Sequence, residues 1–164
     1  MAERKPLRGR SHYRAWRPIA TRWMDNDVYG HVNNVVYYSF FDTAVNAWLV
    51  EQGLLDIEKG PVIGLVVETG CTYARPVAFP EEVQAGIAVS RIGSTSVRYE
   101  IGLFVKGASE PAAQGFFVAY EGNDHDRAST VQVGNRTPAN LARFGQYEGN
   151  FDFPFRQDSY FGTL

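Results

Sequence analysis

The clearest pattern in the chain is a run of apolar residues that surrounds a predicted helix, from about Asn34 to Gln52, on almost every side. A polar stripe interrupts it at positions spaced by three, four and seven: Ser39, Asp42, Thr43 and Asn46. Asn33 or Asn34 suits the N-cap of this helix, and Gly53 suits the C′ position that ends it. A helix that is apolar nearly all round is typical of a buried one, so the rest of the chain must enclose it.

Extended segments with apolar residues predict the enclosing sheet. One strand is expected over about residues 12–24, before the helix, and four more follow it over 61–75, 82–92, 95–106 and 112–121. Turn signals separate the four later segments, including Gly93-Ser94 and Gly122-Asn123-Asp124. The order strand, helix, four strands predicts an α+β fold whose mainly antiparallel sheet curls around one long helix.

Composition divides the chain into three parts. Residues 1–11 are basic and polar and are expected to form a mobile arm, whereas residues 12–122 carry the folded domain. The extension 123–164 holds seven aromatic residues between Phe144 and Phe161. So much aromatic surface is expected to pack on the domain or on a partner subunit, either to cover a sheet edge or to act as a lid.

Charge and cysteine content exclude several classes of protein. The formal net charge of −2 does not favour binding to nucleic acid, which needs an excess of basic residues. The one cysteine cannot form an internal disulfide, and no apolar run approaches the length of a membrane span. These features favour a cytoplasmic protein.

The candidate chemistry lies in the loop that enters the helix, from Arg22 to Asn34. It contains two carboxylates, Asp25 and Asp27, together with the His31 imidazole and two asparagine amides. The loop leads to the N-terminal, electropositive end of the predicted helix, where backbone N–H groups are available. Such an arrangement suits attack on a carbonyl carbon, with a carboxylate as base or nucleophile and amide donors for the oxyanion.

This loop, Asp-x-Asp-x-x-Gly-His-Val-Asn-Asn before an aromatic-rich helix, resembles that of the hotdog-fold acyl-CoA thioesterases of the 4-hydroxybenzoyl-CoA thioesterase-like family. The resemblance covers about residues 12–122. Two weaker matches are the strand end Thr72-Tyr73-Ala74-Arg75-Pro76-Val77 and the turn Gly93-Ser94-Thr95-Ser96-Val97, followed by Tyr99. The resemblance implies a curved antiparallel sheet around one helix and the hydrolysis of an acyl thioester to the free acid and a thiol.

The resemblance also implies roles for particular residues. Asp27 matches the catalytic carboxylate, which activates water or attacks the thioester directly. His31 and Asn33 match polar positions that orient the carboxylate or the thioester, and a backbone N–H near Ile63 or Gly64 matches the oxyanion donor. Tyr37 is a candidate wall of the acyl pocket.

The expected partners are a substrate and a second copy of the chain. The substrate is an acyl-CoA or another acyl thioester, and Arg75 and Arg91 are candidates to bind the phosphates of CoA because they end strands. The family resemblance implies a homodimer or homotetramer with the active site at the subunit interface. No metal or organic cofactor is expected.

Several alternatives remain open. Asp25 is expected only to shape the turn, and Asp42 is a second catalytic candidate because another hotdog branch uses an acidic residue on the central helix. A hotdog dehydratase or hydratase is one rival function, and a non-catalytic acyl-thioester-binding protein is another. A metal hydrolase using Asp25, Asp27 and His31 ranks last, because three ligands so close in one loop lack the usual spacing.

Overall fold

The computed structural model describes residues 6–60 and 62–123. Its elements are β1 (Ala15–Ala20), α1 (Asn34–Glu51), β2 (Val62–Tyr73), β3 (Glu82–Ile92), β4 (Ser96–Val105) and β5 (Ala113–Asn123). Short 3-10 turns precede and follow β1, at Arg10–His12 and Trp23–Asp25. The aromatic extension predicted to pack on the domain or a partner lies outside the described residues, apart from its first residue.

The strands form one antiparallel sheet in the order β1-β3-β4-β5-β2. With α1 packed on one face of the curved sheet, this is the hotdog arrangement that the sequence implied. The predicted helix and the four later strands are confirmed within about two residues at each end. The first strand is shorter than predicted, because 3-10 turns replace both ends of the expected 12–24 segment.

The core lies between α1 and the sheet, because alternate residues of the central strands face the helix. The buried helix residues are Tyr37, Phe40, Phe41, Ala44, Val45 and Trp48. They pack in one cluster with buried strand residues that include Ile87, Val97, Tyr99, Ile101, Leu103 and Phe117. The opposite side of α1 is open among the described residues, since Val35 and Val50 are exposed beside the polar stripe. The sequence predicted that α1 is buried on nearly all sides, whereas among the described residues only the side that faces the sheet is buried.

Gly115 of β5 lets α1 approach the sheet closely. A Cβ atom at this position would lie 2.5 Å from Cζ of the buried Phe41 ring and 2.8 Å from the carbonyl oxygen of Gly70. We expect Gly115→Ala to lower the free energy of unfolding by about 1–3 kcal/mol, because the ring and the neighbouring strand must move. Chemical denaturation measures this loss. Gly64→Ala is the matched control in the same sheet, because its nearest neighbour would be Ala119 Cβ at 3.9 Å; an equal loss in both variants would contradict the explanation.

The segment before β1 packs on the face of the sheet that is turned away from α1. Tyr13 is buried there against Trp16 and Phe104, in a space left by Gly86 and Gly102.

The arm predicted over residues 1–11 makes definite contacts where it is described. The Arg10 guanidinium lies over the Trp16 ring and donates to Gln84 Oε1 at 2.7 Å, and the Arg8 N–H donates to Gln114 Oε1 at 2.8 Å. None of the described helices combines the length and the apolarity needed to cross a membrane.

Candidate active site

Asp25 fixes the start of the loop between β1 and α1. Its side chain is only 1% exposed, and its carboxylate accepts hydrogen bonds from the Arg22 backbone N–H at 2.7 Å, Nε at 3.0 Å and Nη2 at 2.7 Å. The Asp25 carbonyl accepts the Asn33 N–H at 2.8 Å, so the same residue also holds the end of the loop. The hydrogen bond to Asp25 raises the pKa of Arg22, which keeps the guanidinium protonated. These contacts agree with a structural role for Asp25.

Asp27 begins a tight hairpin at the tip of the loop. Its N–H donates to the His31 carbonyl at 2.8 Å, and its own carbonyl accepts the Gly30 N–H at 3.0 Å. Gly30 has φ +77°, a conformation that glycine adopts without strain. The Asp27 carboxylate is half-buried, and its Oδ1 accepts the Tyr29 N–H at 2.8 Å. No described residue donates a hydrogen bond to Oδ2, so one oxygen is positioned by the backbone and the other is available.

The helix begins directly after this hairpin. Asn33 is the N-cap, and its Oδ1 accepts the Val35 N–H at 3.1 Å, which confirms the capping prediction. The His31 side chain is exposed beside it. Asp27 and His31 are paired through their backbones, and Asn33 follows two residues later as the N-cap of α1, so all three lie on one short loop. The partial positive charge at this end of the helix favours an anionic group nearby.

Tyr73, at the end of β2, holds the N-terminus of α1 in place. Its hydroxyl donates to the Asn34 carbonyl at 3.0 Å, and its ring packs edge-on against Tyr37 at 5.0 Å. Burial raises the pKa of Tyr73, which keeps the hydroxyl protonated as a donor. Sequence reasoning assigned no role to Tyr73, although it stands in the strand-end motif that carried part of the resemblance.

Tyr37 lies beneath the loop as part of the core. It is 3% exposed, and its hydroxyl hydrogen-bonds the backbone of Val77. The Val77 carbonyl in turn accepts the Val32 N–H at 2.7 Å, which ties the segment after β2 to the end of the loop. Burial raises the pKa of Tyr37. Within one chain, Tyr37 supports the floor of the candidate site.

Gly64 lies far from Asp27 within one chain. Tyr73 marks the end of β2 that touches the start of α1, and Gly64 lies nine residues back along the strand. At about 3.3 Å per residue, Gly64 and Tyr73 are therefore roughly 30 Å apart along β2. The structure thus does not bring the predicted oxyanion donor to the predicted carboxylate of the same chain.

The two candidate phosphate-binding arginines also lie at opposite ends of the sheet. Arg75 is exposed two residues after β2, at the end near the loop. Arg91 is exposed near the end of β3 and pairs in register with Arg98 of β4. This end of β3 and β4 corresponds, through β5, to the Gly64 end of β2.

The alternative reactive groups are placed less favourably. Asp42 lies eight residues into α1, about 12 Å along the axis from Asn34, and its Oδ1 accepts the Asn46 amide at 2.9 Å. Burial raises the pKa of Cys71 to about 11, so its thiol is protonated at neutral pH. Among residues 6–60 and 62–123, no three His, Cys, Asp or Glu side chains converge in a way that could hold a metal ion.

Comparison with known proteins identifies the class. The thioesterase superfamily model matches residues 29–112, which is 84 of 164 residues. The chain therefore belongs to the thioesterase superfamily, and this membership supports thioester hydrolysis as its general chemistry. The matched range begins at Tyr29, just after Asp27.

Solved structures and one curated protein are also similar to this chain. The PA5185 protein of Pseudomonas aeruginosa PAO1 is 46% identical, with a TM-score of 0.77, over 87% of this chain and 97% of that one. The PA2801 protein of the same species, a candidate thioesterase, is 26% identical, with a TM-score of 0.67, over 79% and 96%. The YsmA protein of Bacillus subtilis strain 168 is 25% identical over 79 residues, or 48% of this chain and 53% of that protein. The chain thus spans about half the length of this curated relative.

Proposed function

We propose that the protein hydrolyses an acyl-CoA, or a related acyl thioester, to the free acid and the thiol, with Asp27 as the catalytic carboxylate. The observation that carries this proposal is the placement of Asp27. Its Oδ1 is held by the Tyr29 N–H, its Oδ2 is available, and the loop that carries it runs directly into the N-terminus of α1. Preorganised backbone donors at such a position stabilise negative charge without moving during the reaction.

The reaction requires few groups. Asp27 either removes a proton from a water molecule that attacks the thioester carbonyl, or attacks the carbonyl itself to form an anhydride that water then opens. In both routes a tetrahedral intermediate carries negative charge on the former carbonyl oxygen. Collapse of this intermediate breaks the C–S bond and releases the thiolate, which is protonated to the thiol. His31 and Asn33 lie close enough along the loop to orient the carboxylate or the thioester.

The second oxyanion donor is proposed to come from another copy of the chain. Strand β2 is a free edge of the described sheet, and its apolar residues Leu65, Val66 and Val67 are 45%, 49% and 51% exposed. The other edge, β1, contains Pro18, which cannot donate a ladder hydrogen bond. Antiparallel pairing of β2 with its own copy about a two-fold axis near the middle of the strand would bring Gly64 of the partner subunit close to Cys71, near the Tyr73 end. This pairing would complete the candidate site.

We therefore expect a dimer or a larger even oligomer. Light scattering should give a mass of at least about twice 18.4 kDa at micromolar concentration. Val66→Lys should weaken the association by about a hundredfold or more, because it buries a charge without a partner. Val66→Thr, which keeps the β-branched shape, should remain associated. A wild-type mass near that of one chain would contradict the proposed interface.

Arg75 is proposed to contact the phosphates of CoA. Arg75→Gln should raise KM for an acyl-CoA about tenfold, because a charge-assisted hydrogen bond is lost, and should leave kcat nearly unchanged. The same acyl group on N-acetylcysteamine, which lacks the nucleotide, should be hydrolysed at the wild-type rate. Arg91→Gln tests the other candidate in the same way. Equal losses on both substrates would show that the arginine is structural.

The proposed function is tested by assaying thiol release from a panel of acyl-CoA esters that differ in chain length and aromaticity. We expect at least one ester to be hydrolysed with a kcat/KM above about 10⁴ M⁻¹s⁻¹, the lower end of the usual enzyme range. Binding of the esters without thiol release would instead favour a non-catalytic acyl-thioester-binding protein. Formation or loss of a double bond in the acyl chain would favour a dehydratase or hydratase.

A further inference from the structure

A cavity of about 380 Å³ opens between the last turns of α1 and strands β1 and β3. Apolar side chains form part of its wall, namely those of Trp48, Ile87 and Val89. Two arginines, Arg14 and Arg17, also line it. The volume equals that of about a dozen water molecules at ~30 Å³ each, which suits a small organic molecule.

The Arg17 guanidinium beside this cavity has a buried N–H donor without an acceptor among the described residues. Its side chain extends from β1 toward α1, and its Nε and Nη2 atoms are shielded from solvent. Nη2 forms an ion pair with the Glu51 carboxylate, and Nε has no acceptor among the described residues. Buried donors in native proteins almost always have acceptors. Glu51 is itself 58% exposed, so its carboxylate can move into solvent when another acceptor arrives.

The cavity is separate from the candidate active site. Glu51 and the Asp27 loop lie at opposite ends of α1, and its 18 residues span about 27 Å. The cavity also borders β1, whereas the proposed partner strand is β2 at the other edge of the sheet. A molecule bound in the cavity cannot touch Asp27 of the same chain.

We propose that this cavity binds a small carboxylic acid with an apolar body, such as phenylpropionate. The planar carboxylate matches the guanidinium fork of Arg17, which can donate two parallel hydrogen bonds to it. The ring or chain of the acid packs on Trp48 and Ile87. Because the Glu51 carboxylate already contacts Arg17, the ligand competes with it for the same donors.

Titration of the full chain with phenylpropionate, monitored by calorimetry and by the fluorescence of Trp48, which lines the cavity, tests the site. Arg17→Gln should weaken binding about ten- to a hundredfold, because the charge-assisted hydrogen bonds are lost. Glu51→Gln should strengthen binding severalfold, because it removes the competing carboxylate. Lys106→Gln, the same change in net charge at an exposed residue, should bind as the wild type does. Phenylpropionamide, which has the same shape but no charge, should bind at least tenfold more weakly.

The proposal would be overturned by no saturable binding to the wild type, equal loss in the Arg17 and Lys106 variants, loss of binding in Asp27→Asn, or equal competition by inorganic phosphate. The Glu51 variant guards against misfolding, since a gain in affinity cannot come from a damaged protein; unchanged or weaker binding would also contradict the proposal. The measurement needs no turnover, so it succeeds or fails independently of the proposed thioester hydrolysis.

Discussion

Asp27→Asn is expected to lower kcat/KM for an acyl-CoA thioester by about 10²–10⁴-fold, the usual cost of losing a general base. The asparagine carbonyl can still accept the Tyr29 N–H that now bonds to Oδ1, so the hairpin should keep its shape. What disappears is the negative charge and the basic oxygen. Thiol release measures the activity, and an unchanged melting temperature shows that the fold is intact.

Two neighbouring carboxylates serve as controls. Asp25→Asn should mainly lower stability, because the buried carboxylate accepts three hydrogen bonds from Arg22. Asp42→Asn should remain nearly as active as the wild type, since the Asp42 side chain hydrogen-bonds only the Asn46 amide among the described residues. Near wild-type hydrolysis by Asp27→Asn together with loss of activity in Asp42→Asn would place the chemistry on the helix, as in the other branch of the fold.

Local patterns were sufficient to predict the elements that carry the fold. A polar stripe at helical spacing within a run of apolar residues defined α1, and the cap at Asn33 and the C′ glycine at Gly53, which has φ +66°, defined its ends. Alternation of apolar residues defined β3 and, less cleanly, β4, whereas β5 was predicted from a cluster of apolar residues between turn signals. Each of these signals depends on residues that are close together in the chain, so a single sequence is sufficient to predict the helix and the strands.

Contacts between distant segments could not be predicted from such patterns. The packing of Tyr13 depends on Gly86 and Gly102, which lie on two different strands and become neighbours only after the sheet has formed. Likewise, nothing local distinguishes Tyr73 from other strand tyrosines until its hydroxyl reaches the Asn34 carbonyl. The N-terminal segment was therefore expected to be mobile, although Arg8 and Arg10 contact the sheet.

Only the part of the candidate site that is local in sequence could be predicted. The residues from Asp27 to Asn33 are adjacent in sequence, so the chemistry of the loop was visible before its geometry. The position of Gly64 relative to Asp27 depends on how β2 is paired at its outer edge, and no periodicity within a strand specifies a partner across an edge. The separation of roughly 30 Å along β2, together with the exposure of this edge strand, is the reason why we propose a site shared between two subunits.

Mixing two inactive variants is expected to restore activity if each site takes Asp27 from one subunit and the backbone of residue 64 from the other. Asp27→Asn lacks the carboxylate, and Gly64→Pro lacks the N–H donor. In a mixed dimer one site carries both defects and the other carries neither. Random association of equal amounts should then recover about a quarter of the wild-type activity, since half of the dimers are mixed and each has one intact site.

Gly64→Ala is the matched control, because it keeps the N–H and its Cβ meets only Ala119 at 3.9 Å; this variant should remain active. The two inactive variants are unfolded and refolded together, and ion-exchange chromatography separates mixed dimers from homodimers by the charge that Asp27→Asn removes. Active mixed dimers from inactive parents can arise only from a shared site, because a site within one chain would be defective in both subunits. Mixed dimers that form but stay inactive would place the oxyanion donor elsewhere, and the candidates would then be the N–H groups at the start of α1 in the same chain as Asp27.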